Sequence, residues 1–271
     1  NPLRGHAFSR GYWADEAMIV PIQSLDDPRV APYRNLKDRE LAREGDRFIA
    51  EGDLVVRRLI ASNYPTESVL CSSRIAHEIA PLLREETILF EADDVIIREI
   101  VGFRFHRGCL AIGRRIQQFT LDEVIANDST KLILACEDLN SAENLGSIIR
   151  TAAGLGASAL IIGPRCVDPF WRLGIRVSMG TVFSLPIVRS TDLVADVKKL
   201  NESHFETLAS VCNIPSIPID QIKRSEKMAL LLGSEAHGLS EEIIEASSQR
   251  VTIPMYHDTD SLNVSIACAI M

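Results

Sequence analysis

The chain has 271 residues, 46% hydrophobic and 24% charged, with a formal net charge of -8; such a length carries one large domain or two ordinary ones, and the composition excludes a disordered or fibrous chain. Apolar runs such as MALLLG and SALIIG fall far short of the roughly 18 to 20 residues of a membrane helix, and the N-terminus lacks the basic-then-apolar layout of a secretory signal, so a cytoplasmic protein with no membrane partner is expected. Six cysteines, Cys71, Cys109, Cys136, Cys166, Cys212 and Cys268, form no C-x-x-C pair, which argues against zinc or a disulfide framework and for reduced, mostly buried thiols.

Residues 1–39, with Pro2, Pro21, Pro28 and Pro32 and no hydrophobic period, read as an arm or linker. Strand DRFIAEG, helix DLVVRRLIASN, strand VLCS, helix RIAHEIAPLLR, strand TILFEA, helix DVIIREIV and strand CLAIGRR then predict a small α/β domain over residues 40–116. A polar break from Gln117 to Asp128 precedes a second, larger α/β domain, 117–271, with a mainly parallel sheet. Its elements are strand KLILACED, a helix carrying Asn144, SALIIG, a region around FWRLGIRVSMG, LPIVR, helix DLVADVKKL, FETLAS, KMALLLG, helix SEEIIEASS, RVTIPM and a last helix SLNVSIACAIM. The chain starts at Asn1 without Met, and the apolar face of the last helix is still running at Ile266, Ala269 and Ile270. Both ends are therefore expected to be trimmed.

Two stretches depart from the acidic average. Gly102 to Phe119 holds no acid but has Arg104, His106, Arg107, Arg114 and Arg115; between Pro164 and Ser190, Arg165, Arg172, Arg176 and Arg189 face only Asp168. The net charge argues mildly against nucleic acid as a partner, but local basic patches can overrule that average and suggest a directed surface, although solvated arginines at loop edges have the same sequence signature.

Ligands of open α/β sheets collect beyond the carboxyl ends of strands, and three strand ends are rich in functional groups. ENLGSIIRTAAGLG, with Asn144, Gly146 and Arg150, follows KLILACED; Gly233 to Ser240 (GSEAHGLS) follows MALLL; Ser261, Leu262 and Asn263 follow RVTIPM. The glycine spacing fits neither the dinucleotide fingerprint nor the P-loop. Each residue has an ordinary reading: Asn144 as an N-cap accepting from the Ser147 N–H, Arg150 as a solvated helix arginine, Ser240 as the cap of the next helix, His237 as a solvent-facing loop residue. Together the three ends offer a carboxylate, a permanently charged guanidinium, two amides and a hydroxyl, which points to an active site.

ENLGSIIRTAAGLG, LLLGSEAHGLS and IPMYHDTDSLNVSIACAI resemble the three ordered motifs of the SpoU family of RNA ribose 2'-O-methyltransferases, in the SPOUT superfamily. The segment from Glu40 to Arg115, with FIAEG and HRGCLAIG, is similar to the L30e-like substrate-binding domain that often precedes them. The resemblance implies a catalytic α/β domain with a mainly parallel sheet and a C-terminal trefoil knot, a homodimer packed through that knot, and no metal. It implies S-adenosyl-L-methionine as cofactor, held by Leu232, Gly233, Ile253, Met255 and Leu262. Carried over position by position, Asn144, Arg150, Glu235, Ser261 and Asn263 form the catalytic set. Ser141-Ala142 stands where the first motif often has Asp-Pro, which leaves the shape of that loop open.

The implied chemistry is attack of a ribose 2'-hydroxyl on the methyl carbon of a sulfonium, which demands alignment and removal of a proton. Arg150 matches the arginine often proposed as the base, yet a neutral arginine at pH 7 costs roughly 8 kcal/mol; a bidentate clamp on the neighbouring phosphate suits it better. RNA contacts are expected from Arg104, Arg107, Arg114, Arg115 and Arg172. The L30e-like unit favours 23S ribosomal RNA over tRNA as substrate. A non-catalytic RNA-binding adaptor is the alternative of a different class, opposed by the intact Asn144, Arg150, Glu235 and Asn263.

Overall fold

The computed structural model, which describes residues 19–34, 46–101, 108–117, 119–212, 214–257 and 259–271, gathers the apolar runs into two sheets. The first joins β1 (Ile19–Pro21), β2 (Arg47–Glu51), β3 (Thr66–Cys71), β4 (Ile88–Glu91) and β5 (Cys109–Arg114) in the order β1-β4-β3-β5-β2. Strand β5 is antiparallel to β2 and β3, and β1, β4 and β3 are parallel. Helices α1 (Asp53–Ile60), α2 (Ser73–Ile79) and α3 (Asp94–Val101) turn regular apolar faces inward; α1, for example, buries Val55, Val56 and Leu59 at the 3-4 spacing of a helical stripe.

Part of the stretch read as an arm belongs to this sheet. Ile19–Pro21 pairs with β4, Val30 and Tyr33 are fully buried, and the Tyr33 hydroxyl shares a 2.8 Å hydrogen bond with Ser68 Oγ. Two of the prolines that break the sequence period are placed where proline costs little, Pro21 on an edge strand and Pro28 at the first position of a 3-10 turn, Pro28–Tyr33, whereas Pro32 lies inside that turn.

The second sheet contains β6 (Leu132–Cys136), β7 (Ala159–Ile162), β8 (Ile187–Arg189), β9 (Glu206–Ser210), β10 (Ile217–Pro218), β11 (Met228–Leu232) and β12 (Gln249–Thr252). Their order is β10-β12-β9-β11-β6-β7-β8, and every pairing is parallel. Runs such as LILA, ALII and ALLL are apolar on both faces because helices cover both sides of the sheet. These helices are α4 (Leu121–Ala126), α5 (Ala142–Gly154), α6 (Arg172–Val177), α7 (Leu193–Glu202), α8 (Glu241–Ala246) and α9 (Val264–Ile270). From β6 the chain moves outward to β7, whereas from neighbouring β11 it moves the opposite way to β12. The crevice between their carboxyl ends is the switch point at which open α/β sheets bind ligands.

One hydrophobic core continues from the first sheet into the second. At the junction Phe48 of β2 stacks on Phe183 (5.5 Å between ring centroids) and lies 5.2 Å from Phe170, and Tyr64 completes the cluster. Gly113 makes room for it, since a Cβ there would lie 2.4 Å from the Phe48 ring. Polar contacts surround the aromatics: Arg115 pairs with Asp168 at 2.7 Å, and Arg58 donates to the Met179 carbonyl at 2.5 Å. All six cysteines are free thiols and all but Cys212 are buried; burial pushes Cys71 up to about 12 and Cys268 up to about 11, which makes them poor nucleophiles. No helix among the described residues is long and apolar enough to cross a membrane. Replacing Phe48 by Ala removes the ring on which the junction packs; chemical denaturation is expected to show a loss of about 3 to 5 kcal/mol.

Candidate active site

The site begins where β6 ends. After Cys136 the chain turns through Asp138, in the left-handed region (φ 55°), and enters α5 at Ser141. Ser141 Oγ accepts the backbone N–H of Asn144 at 3.2 Å, so Ser141 is the N-cap and Asn144 lies inside the first turn. The cap reading of Asn144 is thereby corrected, and its side chain is free for other partners. Asn144 Nδ2 donates to the Glu235 carboxylate beyond β11, while Asn144 Oδ1 accepts from Asn263 Nδ2 at 3.0 Å. Asn263 caps α9, its Oδ1 accepting the Ser265 N–H at 2.9 Å and the Ser265 hydroxyl at 2.6 Å. Groups separated by 91 and 119 residues in sequence thus form one directed chain of hydrogen bonds, Asn263 to Asn144 to Glu235.

Gly146, on the same helix, has a packing role. A Cβ there would lie 2.7 Å from the Gly174 carbonyl oxygen and 3.0 Å from Val177 Cβ, so this glycine lets α5 cross α6 at close range. Gly233 has a comparable restriction: the loop after β11 folds back through paired bonds between Ser234 and Gly238 (3.1 and 2.8 Å), and a Cβ on Gly233 would lie 2.1 Å from the Gly238 carbonyl carbon. Gly238 itself has φ +69°.

Beside this loop is a cavity of about 480 Å³, within the usual range for small-molecule sites, whose wall includes Leu232, Gly233, Glu235, Gly238, Ser261 and Leu262. A second hollow of about 330 Å³ shares Cys212, Ile214 and Asp260 with the first and is lined by Ile253 and Met255. All five residues expected to hold a cofactor therefore lie on these two adjoining hollows. Ser261 is exposed on the wall of the first and makes no hydrogen bond among the described residues. His237 is exposed, its backbone N–H on Ser234 Oγ. No cluster of three or more His, Cys, Asp or Glu side chains able to hold a metal occurs among the described residues.

The SpoU rRNA Methylase family model matches residues 131–271, which contain the whole of this site. The chain belongs to the SpoU rRNA Methylase family. An uncharacterized tRNA/rRNA methyltransferase of Mycobacterium bovis is 36% identical over 255 residues, 90% of this chain and 87% of the relative. The 23S rRNA (guanosine(2553)-2'-O)-methyltransferase RlmP of Bacillus subtilis is 29% identical over 92% of this chain and 96% of its own length. Among solved structures, the AdoMet-bound rRNA methyltransferase from Sinorhizobium meliloti superposes with a TM-score of 0.80 at 25% identity, covering 93% of this chain and 95% of that one.

In this SpoU-family chain Arg150 stands apart from the Asn–Asn–Glu chain. It is exposed two turns along α5 from Asn144, outside the walls of both hollows, and has no ion pair among the described residues. Of the arginines expected to meet RNA, Arg104 and Arg107 lie outside the described residues. Arg114 is half-exposed and paired with Glu67. Arg115 is turned inward to Asp168 and covers the Phe170 ring, and Arg172 faces the buried Glu51 at 3.9 Å, so both serve the junction between the sheets.

One polar side chain of the site escaped the sequence reading. Glu137 closes the apolar run of β6, is buried, and accepts both the Ser240 N–H and the Ser240 hydroxyl at 2.8 Å. Ser240 precedes α8 but makes no side-chain cap; its hydroxyl goes to Glu137 instead. An acid terminating an otherwise apolar strand was the available signal. Gly233→Ala is expected to force the loop off Gly238, lowering stability by about 2 kcal/mol, with faster hydrogen exchange at the Gly238 amide as the specific readout.

Proposed function

We propose that this chain transfers a methyl group from S-adenosylmethionine to a ribose 2'-hydroxyl of 23S ribosomal RNA. The observation that carries the reading is the Asn263–Asn144–Glu235 chain at the mouth of the Gly233 cavity, in a member of a family whose relatives are named as ribose 2'-O-methyltransferases. The cavity suits the cofactor: the Gly233–Gly238 backbone approaches closely, the lining combines apolar residues such as Leu232 and Leu262 with polar ones such as Ser234 and Ser261, and Glu235 supplies an exposed carboxylate for an ammonium or hydroxyl group. Leu232, Gly233 and Leu262 would hold it, with Ile253 and Met255 from the adjoining hollow. Bound there, S-adenosylmethionine supplies an electrophilic methyl group.

The chain's own residues provide positioning. Because Asn144 Nδ2 is committed to Glu235 and its Oδ1 to Asn263, the amide is locked by both partners and adds fixed dipoles beside the carboxylate. Ser261 presents a free hydroxyl on the cavity wall for the incoming ribose. Arg150 stays protonated and grips the phosphate next to the target sugar, lowering the pKa of the 2'-hydroxyl through its charge. Arg104, Arg107 and Arg114 extend the phosphate contacts. The working form is a homodimer: Leu155, Ile266 and Ile270 are exposed large apolar residues on α9 and at the end of α5, which a partner copy would cover. In such a dimer Arg150 of one copy would serve the cavity of the other.

Mapping of ribose methylation in ribosomal and transfer RNA from cells with and without the gene tests the substrate: a single missing mark in 23S RNA is the expected outcome, and a mark lost from tRNA alone would refute it. With purified enzyme, Asn144→Ala and Arg150→Lys are each expected to lower kcat by 100-fold or more; near-normal turnover of the lysine variant excludes the planar clamp. Leu155→Asp with Ile270→Asp is expected to halve the mass measured by light scattering.

A further inference from the structure

We infer that Glu137 is a positioning residue for the methyl donor, holding the loop Gly233 to Ser240 in its binding shape before any ligand arrives. Three hydrogen bonds, each of 2.8 Å, carry this. The Glu137 N–H donates to the Leu232 carbonyl, extending the β6/β11 ladder by one residue, and its carboxylate takes the N–H and hydroxyl of Ser240. The loop is consequently fastened at both ends: Ser234 and Gly238 close it near β11, and Glu137 ties its far end to β6.

The placement separates this residue from the catalytic set. Glu137 is 9% exposed and absent from the walls of both hollows, so it stands behind the cavity rather than on it; it acts through Gly233, Glu235 and Gly238, which do line the cavity. Asn144 braces the same loop from its outer side through Glu235. A carboxylate suits the position because both Ser240 groups are donors, and truncation would leave two donors and a cavity at the end of the ladder. Without the tie, the loop's ordering would be charged against ligand affinity, the usual cost of lost preorganisation.

The inference rests on the cofactor reading above, and the test keeps the two apart. Full-length protein is titrated calorimetrically with S-adenosylhomocysteine, and hydrogen exchange at the Leu239 and Ser240 amides is followed without ligand. Glu137→Ala is expected to raise the Kd at least tenfold, to raise KM for S-adenosylmethionine by a larger factor than it lowers kcat, and to speed exchange in the loop, with RNA affinity unchanged. Glu137→Gln, which can accept the N–H and donate to the hydroxyl, is expected to remain within threefold of wild type. A folded Glu137→Ala with wild-type Kd and slow loop exchange overturns the proposal, as does a glutamine variant as impaired as the alanine one. If Glu137→Ala does not fold, Ser240→Ala decides: a severalfold weaker Kd supports the tie and an unchanged Kd refutes it. Wild-type protein that binds no S-adenosylhomocysteine defeats the cofactor reading, while the exchange measurement still judges the loop.

Discussion

Strand β11 sits between β6 and β9 with parallel hydrogen bonds on both sides, and its register sets Leu232 opposite Cys136. That alignment makes the two strands end level, so the chain leaves one as Glu137 and the other as Gly233 at the same height. Everything at the site follows from those adjacent exits. Helix α5 can pack closely on α6 only because of Gly146, and the loop beyond β11 can fold back on itself only because Gly233 has no Cβ to meet the Gly238 backbone and Gly238 takes a φ of +69°. Parallel strands need long crossovers, which is why residues far apart in sequence meet here.

The site is polar, but its polar groups are paired rather than scattered. In the Asn263, Asn144 and Glu235 chain the amide–amide bond contributes about 0.5 to 1.5 kcal/mol net and the one to the carboxylate about 1.5 to 3, yet loss of one member strands its neighbours. The larger energies reside elsewhere, in a core that runs unbroken beneath both sheets. Stability and chemistry are thus separated in space: apolar packing fixes the strands, and a few directed bonds at their ends fix the reactive groups.

Much of this was legible in the sequence. Most of the strands and striped helices stand out by their period, and Asn144, Glu235 and Asn263 were identifiable as a set because each followed a strand. The stretch read as a polar break instead holds helix α4, whose local signal is the capping box of Thr120 and Glu123, and the two-residue β10 is too short to show a period. Most of what else remained hidden depended on tertiary contacts. Strand β1 is three residues long and flanked by proline, so it has no period to read. Nothing local distinguishes Gly146 as a packing glycine from a ligand-binding one. Arg115 and Arg172 look like solvated cations until Asp168 and Glu51 appear opposite them. Ser141 takes the cap that the ordinary reading gave to Asn144, leaving the Asn144 side chain to its Glu235 and Asn263 partners. Glu137 was overlooked because its partner lies 103 residues away.

The aromatic junction of Phe48, Tyr64, Phe170 and Phe183, flanked by the Arg115–Asp168 pair, acts as a weld rather than a hinge. A welded pair of sheets works as a caliper of constant span: any partner molecule that touches the smaller sheet and the crevice together must supply the matching curvature itself.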